Sequence, residues 1–347
     1  MTTLTAIRFR RLIAMLAVLA KALLIGAVLA PAVWLDASAP KSAPEPFVVP
    51  AWAYPTDPPP GLPTHAVPGS AEPLHVPGSD RAFSRAQLSD LYAAPDWHPD
   101  SHPPMPDIVA VGRRPAVYAC GYCHLPDGQG RVENAPLAGL SANYIQAQLR
   151  AFRSGERRSA WNEPQLPNAL MHEVALAATE EEVATAARYF SSLPLTRRVV
   201  VMETLRVPTL HVAGWVYVPT SGAGTEVLGE RLIEVPMDPE RHERRDAASA
   251  FEAYVPPGST ARGKRIAVDG TEAQRLPCAS CHGDALKGSR IGPPLAGRSP
   301  SYVLRQLLAF RTGARNSDGS APMKAVAAQM PVPDMVAVAA YVTTLEP

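Results

Sequence analysis

The chain has almost no net charge: 33 Lys and Arg against 32 Asp and Glu leave +1 at pH 7. No stripe of cations runs along it either, so nothing favours nucleic acid as a partner. Cysteine is scarce, with four among 347 residues. Those four sit in two Cys-x-x-Cys-His strings, at Cys120, Cys123, His124 and at Cys278, Cys281, His282. Four cysteines in an exported chain ordinarily suggest disulfides, but this spacing argues against them. The βαβ pattern that surrounds a redox dithiol is absent, and neither string offers four ligands for structural zinc. The hydrophobic content of 46% is ordinary for a packed core, and the length suggests two or three domains.

Only one long apolar run is present, and it lies at the start. Arg8, Arg10 and Arg11 precede Leu12 to Leu35, interrupted by Lys21. Twenty-four helical residues reach about 36 Å, enough for a hydrocarbon core of roughly 30 Å. Lys21 opposes insertion by about 2.5–3.5 kcal/mol. The first expectation is an uncleaved signal anchor within residues 1–39. The rival is a cleaved signal peptide with Ala37-Ser38-Ala39 at its cleavage site, and the third reading is a buried globular helix. Anchor and signal agree on export. Prolines number 38 and crowd residues 40–106, which predicts an extended Pro-rich linker over 40–78.

The chain repeats itself at an offset of 158 positions. Each Cys-x-x-Cys-His falls on the other, Gly112 falls on Gly270, Gly130 on Gly288, and Pro136 to Gly139 on Pro294 to Gly297. Tyr144, Gln148, Phe152, Arg153, Gly155 and Arg157 fall on Tyr302, Gln306, Phe310, Arg311, Gly313 and Arg315. A longer loop in the first copy, Arg158 to Ala169, shifts the register by six. It re-locks at Met171 and Met323, each followed 18 residues later by Tyr189 or Tyr341. Two homologous domains are predicted, 79–195 and 256–347. Apolar spacing makes Tyr144 to Arg153 and Tyr302 to Arg311 helical, with Gly155 and Gly313 as stops. A further helix starts at Thr179, with Glu180, Glu181 and Glu182 favoured by its dipole, and its counterpart follows Pro331. Between the domains (196–255), β-branched runs at Val199 to Val207, Leu210 to Val218 and Leu228 to Val235 predict two or three strands that set the interdomain angle.

The spacing of the motif has a chemical reason. Two thiols on one helical turn can add to the two vinyl groups on one porphyrin edge, and the next histidine then offers a ring nitrogen to the iron. The expectation is two covalently bound haem c groups, with an apolar cavity beside each histidine.

The sequence resembles the class I c-type cytochromes, and more closely the tandem di-haem cytochromes of bacteria. The features that carry this are Cys-x-x-Cys-His, a downstream Pro-Leu-Ala-Gly, the Phe-Arg-x-Gly-x-Arg helix end, and a methionine before a final Ala-Tyr helix. They span about 210 residues, outside the Pro-rich and β segments. The resemblance implies a mainly α fold of two cytochrome c domains joined by the β-containing segment. It implies iron ligation by His124 with Met171 and by His282 with Met323. It also implies that the carbonyls of Pro136 and Pro294 accept the second ring N–H of those histidines. Met330 rivals Met323 but aligns with Ala178, which makes it a packing residue. His172 is the rival beside Met171. His98, His102 and Met105 read as surface or packing groups. Tyr144, Tyr302, Arg157 and Arg315 recur beside the expected pocket and are candidate contacts to haem or its propionates.

Filled His and Met positions suit outer-sphere electron transfer and require no catalytic residue. The expected function is single-electron transfer between a dehydrogenase or respiratory complex and an acceptor, on the periplasmic side of a bacterial inner membrane. The chain would be anchored there, or soluble if the leader is cut. The alternatives are a di-haem peroxidase, which needs an open iron position, and a cytochrome subunit of a larger oxidoreductase.

Overall fold

The structure is a computed structural model that describes residues 47–56, 72–163, 165–270 and 276–347. The expected signal anchor or signal peptide lies outside the described residues.

In the first copy, four helices surround one core. They are α1 (Cys120–His124), α2 (Ala142–Arg153), α3 (Leu166–Ala177) and α4 (Glu180–Ser191). Ser141 caps α2 by accepting from the backbone N–H of Tyr144, and the chain leaves the helix through Gly155 at φ +74°. Thr179 and Glu182 form a reciprocal capping box at the start of α4, where three glutamates meet the positive helix end. Ile145 of α2 and Val183, Ala187 and Phe190 of α4 bury their side chains together with Val109 and Val117.

The middle segment contains β1 (Val199–Glu203), β2 (Arg206–Pro208), β3 (Leu210–Ala213), β4 (Val216–Pro219), β5 (Thr225–Val227), β6 (Ile233–Pro236) and β7 (Phe251–Val255). Strands β1, β7 and β6 make one sheet, with β1 parallel and β6 antiparallel to the central β7. Val199 pairs with Phe251. The other four strands form two antiparallel pairs, β2 with β5 and β3 with β4. Sequence reading expected two or three strands. The additional ones are short, and β2 and β5 span three residues each, too few for alternation to show.

The second copy repeats the helical arrangement with α5 (Ser259–Lys264), α6 (Ala279–His282), α7 (Pro300–Thr312), α8 (Ala321–Ala328) and α9 (Val332–Thr344). Gly313 ends α7 at φ +74°, as Gly155 does for α2. α5 crosses α9 at Gly263, where an added Cβ would stand 2.0 Å from the carbonyl oxygen of Ala337. Only glycine permits that approach. Nine of the residues in α9 are buried, including Met335, Val336, Val338 and Val342. Each large one contributes about 1.5–3 kcal/mol by leaving water. Among the described residues no single helix is long and apolar enough to cross a membrane.

Two further features tie the copies together. Residues 48–56, within the expected linker, pack against the body. Tyr54 is buried, Arg305 donates from Nε to the carbonyl of Ala53 at 2.7 Å, and Tyr217 donates to the carbonyl of Trp52 at 3.1 Å. The segment that follows each long helix also meets its twin. Arg157 and Arg315 form an antiparallel bridge, flanked by Arg158 N–H to Ala314 O at 2.8 Å and Asn316 N–H to Glu156 O at 2.8 Å.

Candidate haem-binding sites

One turn of α1 carries Cys120, Cys123 and His124, and its end is set by Leu125 at φ +65°. In the second copy the same three residue types lie at Cys278, the N-cap of α6, and at Cys281 and His282 within it. All four cysteines are free thiols and half-buried. Burial pushes the Cys120 thiol up to about 12 and the Cys278 thiol up to about 11. Both thiols are therefore kept in the S–H form at neutral pH.

Each histidine is fixed by one main-chain carbonyl. His124 Nδ1 lies 2.8 Å from Ala135 O, and His282 Nδ1 lies 2.7 Å from Pro293 O. A carbonyl can only accept, so Nδ1 carries the proton and Nε2 keeps its lone pair for a metal. Burial holds both imidazoles below their ordinary pKa, which keeps them neutral. The expected acceptors were Pro136 and Pro294, and this is corrected: the bond is made one residue earlier in both copies. The next carbonyls are already engaged by one side chain. Arg298 donates from Nε to Pro294 O at 2.7 Å and across the domain boundary to Pro136 O at 3.0 Å.

Beside His124 opens a cavity of about 1800 Å³, its mouth included. Cys120, Cys123 and His124 line it with Ile145, Leu149, Phe152 and Phe190, and so do Met171 and Val174 of α3. The second copy contributes Tyr302, Arg305, Gln306 and Ala309 to the same wall. An apolar cavity with an uncharged imidazole, two thiols and a thioether fits haem c. The unpartnered polar groups fit it as well. Trp161 Nε1 and Gln165 Nε2 are buried with no hydrogen-bond partner among the described residues, and Gln165 lines the cavity. Buried N–H donors without acceptors suit the acid groups of a haem. Sequence reading missed both, because they lie in the loop that the second copy lacks.

The remaining candidates divide clearly. Met323 is half-buried in α8, the counterpart of α3. Met330 is 1% exposed, and its carbonyl accepts from Arg311 as the carbonyl of Ala178 accepts from Arg153. That pairing matches the repeat register, in which Met330 stands opposite Ala178. His172 Nδ1 is bonded to Phe152 O at 2.8 Å. His98 pairs with buried Asp246 at 2.8 Å, and His102 with Asp96 at 3.2 Å. Met105 packs against the first core.

Tyr144, Arg157 and Tyr302 line the cavity, and Arg315 reaches them from behind. Arg157 donates to Gln148 at 2.8 Å and to Gln306 at 3.3 Å, while Arg315 donates to Gln306 at 2.9 Å, Gln148 at 2.9 Å and Tyr144 at 2.6 Å. The four repeated residues thus form one cluster across the domain boundary. Burial lowers the pKa of Arg157, and Arg315 beside it adds to the effect.

Residues 260–346 match the family described as Cytochrome c. Cytochrome c-554(548) of Halomonas halodenitrificans is 36% identical over 77 residues, which cover 22% of this chain and 86% of that protein. The similarity to longer proteins runs through both copies. The thiosulfate dehydrogenase electron acceptor of Stutzerimonas stutzeri is 28% identical over 234 residues, 66% of this chain and 80% of that protein. Cytochrome c4 of Azotobacter vinelandii is 27% identical over 244 residues, 68% of this chain and 89% of that protein. The chain belongs to the c-type cytochromes. As a c-type cytochrome it carries covalent haem c and is an electron carrier rather than an enzyme. The middle β-segment is built into this cytochrome between its two repeats.

Proposed function

We propose that both motifs of this cytochrome are loaded with haem c, and that it passes single electrons between a dehydrogenase or respiratory complex and an acceptor. The observation that carries this is the duplicated site: in each copy a neutral histidine, one residue after a cysteine, is oriented by a carbonyl eleven residues further on. Bound haem supplies a one-electron Fe(III)/Fe(II) couple. His124 and His282 would hold the iron through Nε2, and Met171 and Met323 would supply its thioether ligands. The four cysteines fix the group covalently. Phe152, Phe190 and Ile145 exclude water, which keeps the site dry and its reorganisation small. Tyr144, Tyr302 and Arg157, with Trp161 and Gln165, would provide donors for the propionates, and Arg315 would hold Tyr144 in place from behind.

The proposed setting is the periplasmic side of a bacterial inner membrane, reached through the N-terminal apolar segment as an anchor or as a cleaved signal. The name of one relative suggests a dehydrogenase acting on thiosulfate as the donor, in which case this cytochrome would be its acceptor or a stably bound subunit. Spectroelectrochemical titration of the purified protein tests the reading. Two one-electron steps with low-spin spectra throughout are expected. A high-spin haem that turns over peroxide would instead assign a di-haem peroxidase.

A further inference from the structure

Part of the wall of the first cavity belongs to neither repeat. Trp215, Tyr54 and Pro55 line it together with Cys120, His124 and Met171. Trp215 comes from the inserted β-segment, and Tyr54 and Pro55 come from the Pro-rich stretch ahead of the first copy. All three lie outside the repeated stretches, so the second copy has no residue in register with them.

Trp215 holds its place against the preference of its own backbone. Strands β3 and β4 pair as far as Ala213 with Val216, so Gly214 and Trp215 alone make the turn between them. Both have positive φ, +58° and +71°. A two-residue turn of that kind favours Asn followed by Gly, and a bulky aromatic in its second position is strained. Nothing local to the turn therefore asks for tryptophan. What the position offers is reach, since the side chain is half-buried and lines the cavity.

The surrounding contacts fix that reach. Tyr217, two residues further on, packs against Val207, Leu228, Ile233 and Val235, and it donates to Trp52 O at 3.1 Å. Tyr54 stacks on Trp161, with ring centroids 6.1 Å apart and planes 15° apart. The Arg305 guanidinium lies 5.6 Å from the Tyr54 ring and donates to Ala53 O at 2.7 Å. The hairpin tip and the strap Trp52–Pro55 are thus one cover, tied at Trp52 and at Arg305.

We propose that Trp215, supported by this strap, sets the reduction potential of the first haem by keeping water out of its cavity. The proposal rests on the reading that the first site holds haem ligated by His124 and Met171. Fe(III) carries one positive charge more than Fe(II), and water stabilises that charge where a dry aromatic wall does not. The cover therefore favours Fe(II) and raises the first couple. Belonging to no repeat, it acts on one haem of the two and separates two sites that are otherwise built alike.

The test is an optical redox titration of the full-length holo-protein. Dithionite supplies and ferricyanide removes one electron per haem, taking Fe(III) to Fe(II) and back. Met171→His, which replaces a potential-raising ligand, lowers one couple and so marks the first haem. Trp215→Gly is expected to move that couple about tenfold toward Fe(III), about 59 mV for one electron, and to leave the second couple in place. Trp215→Phe keeps an aromatic wall and is expected to hold the wild-type value. So is His211→Ala, which alters an exposed side chain of the same hairpin. If Trp215→Gly carries fewer than two haems, Trp215→Asn takes its place. An unmoved first couple, equal shifts of both couples, or an equal shift in His211→Ala overturns the proposal. Loss of haem from both Trp215→Gly and Trp215→Asn assigns the tryptophan a purely structural role and overturns it too. A Met171→His variant that moves neither couple overturns the axial reading first, and the proposal with it.

Discussion

Arg298 of the second copy holds the carbonyl of Pro136 in the first, 3.0 Å away, while its Nε holds Pro294 O in its own copy at 2.7 Å. The side chain is 1% exposed and also donates to Ala138 O at 3.2 Å. One guanidinium therefore satisfies the loops that lie next to both haem-site histidines. Its repeat counterpart is Leu140. Arg298→Leu should strand three carbonyls and destabilise the protein by about 3 kcal/mol or more. Urea unfolding of the holo-protein measures this as a lower midpoint at unchanged slope; a shift below about 0.5 kcal/mol contradicts the bridging role.

Exchanging residues between the copies tests how differently the loop after each Cys-x-x-Cys-His turn is packed. Val132→Arg forces a cation into the cluster of Val199, Val216 and Phe251 and should cost on the order of 3 kcal/mol. The reverse change, Arg290→Val, falls on open surface and should stay within about 0.5 kcal/mol. Similar effects from the two changes would mean that the β-segment does not cover the first loop.

His242 gives a pH dependence of defined sign. Burial holds its pKa well below 6.5, and the nearby Arg131, Arg245 and Arg198 lower it further; Glu133, 3.6 Å away, is already paired with Arg131. The folded protein keeps this ring neutral while the unfolded chain takes up a proton below its ordinary pKa of about 6.5. The unfolded state then binds more protons, so stability falls as the pH drops below about 6.5 and is level above it. The contribution is about 1.4 kcal/mol per pH unit. His242→Gln should make the acid limb shallower in guanidine unfolding between about pH 5 and 7. An unchanged slope would mean that His242 is protonated in the fold.

The axial assignments are separable by ligand binding. Met171→Ala should leave one of the two reduced haems open to carbon monoxide, while His172→Ala should leave both closed, because Met171 lines the cavity and His172 is not among its lining residues. Optical titration counts the haems that respond. Carbon monoxide uptake by the wild type itself would refute ligation by methionine.

The repeat and its chemistry were legible because covalent attachment tolerates only one spacing of two thiols and an imidazole. Helix ends were legible for a similar reason: Gly155, Gly313 and the Thr179–Glu182 box perform local jobs that few residues perform. The acceptors of the histidine N–H groups were misplaced by one residue, since the direction of a carbonyl depends on main-chain turns that side chains do not announce. Trp161 and Gln165 went unseen because no second copy marked them. The burial of Tyr54 against the body, 7% exposed, needs partners more than a hundred residues away, Trp161 and Arg305, so its Pro-rich context read as extended. The strand β7 alternates buried and half-buried positions, but five residues carry little signal.

The central claim is that both Cys-x-x-Cys-His turns hold haem. A pyridine haemochrome assay on protein expressed with a c-type maturation system, set against the chain concentration, tests it directly. Two covalent haem c groups per chain are predicted, falling to one in either Cys123→Ser combined with Cys120→Ser or the matching pair at Cys278 and Cys281. One haem or none in the wild type would contradict the account and remove the electron relay with it.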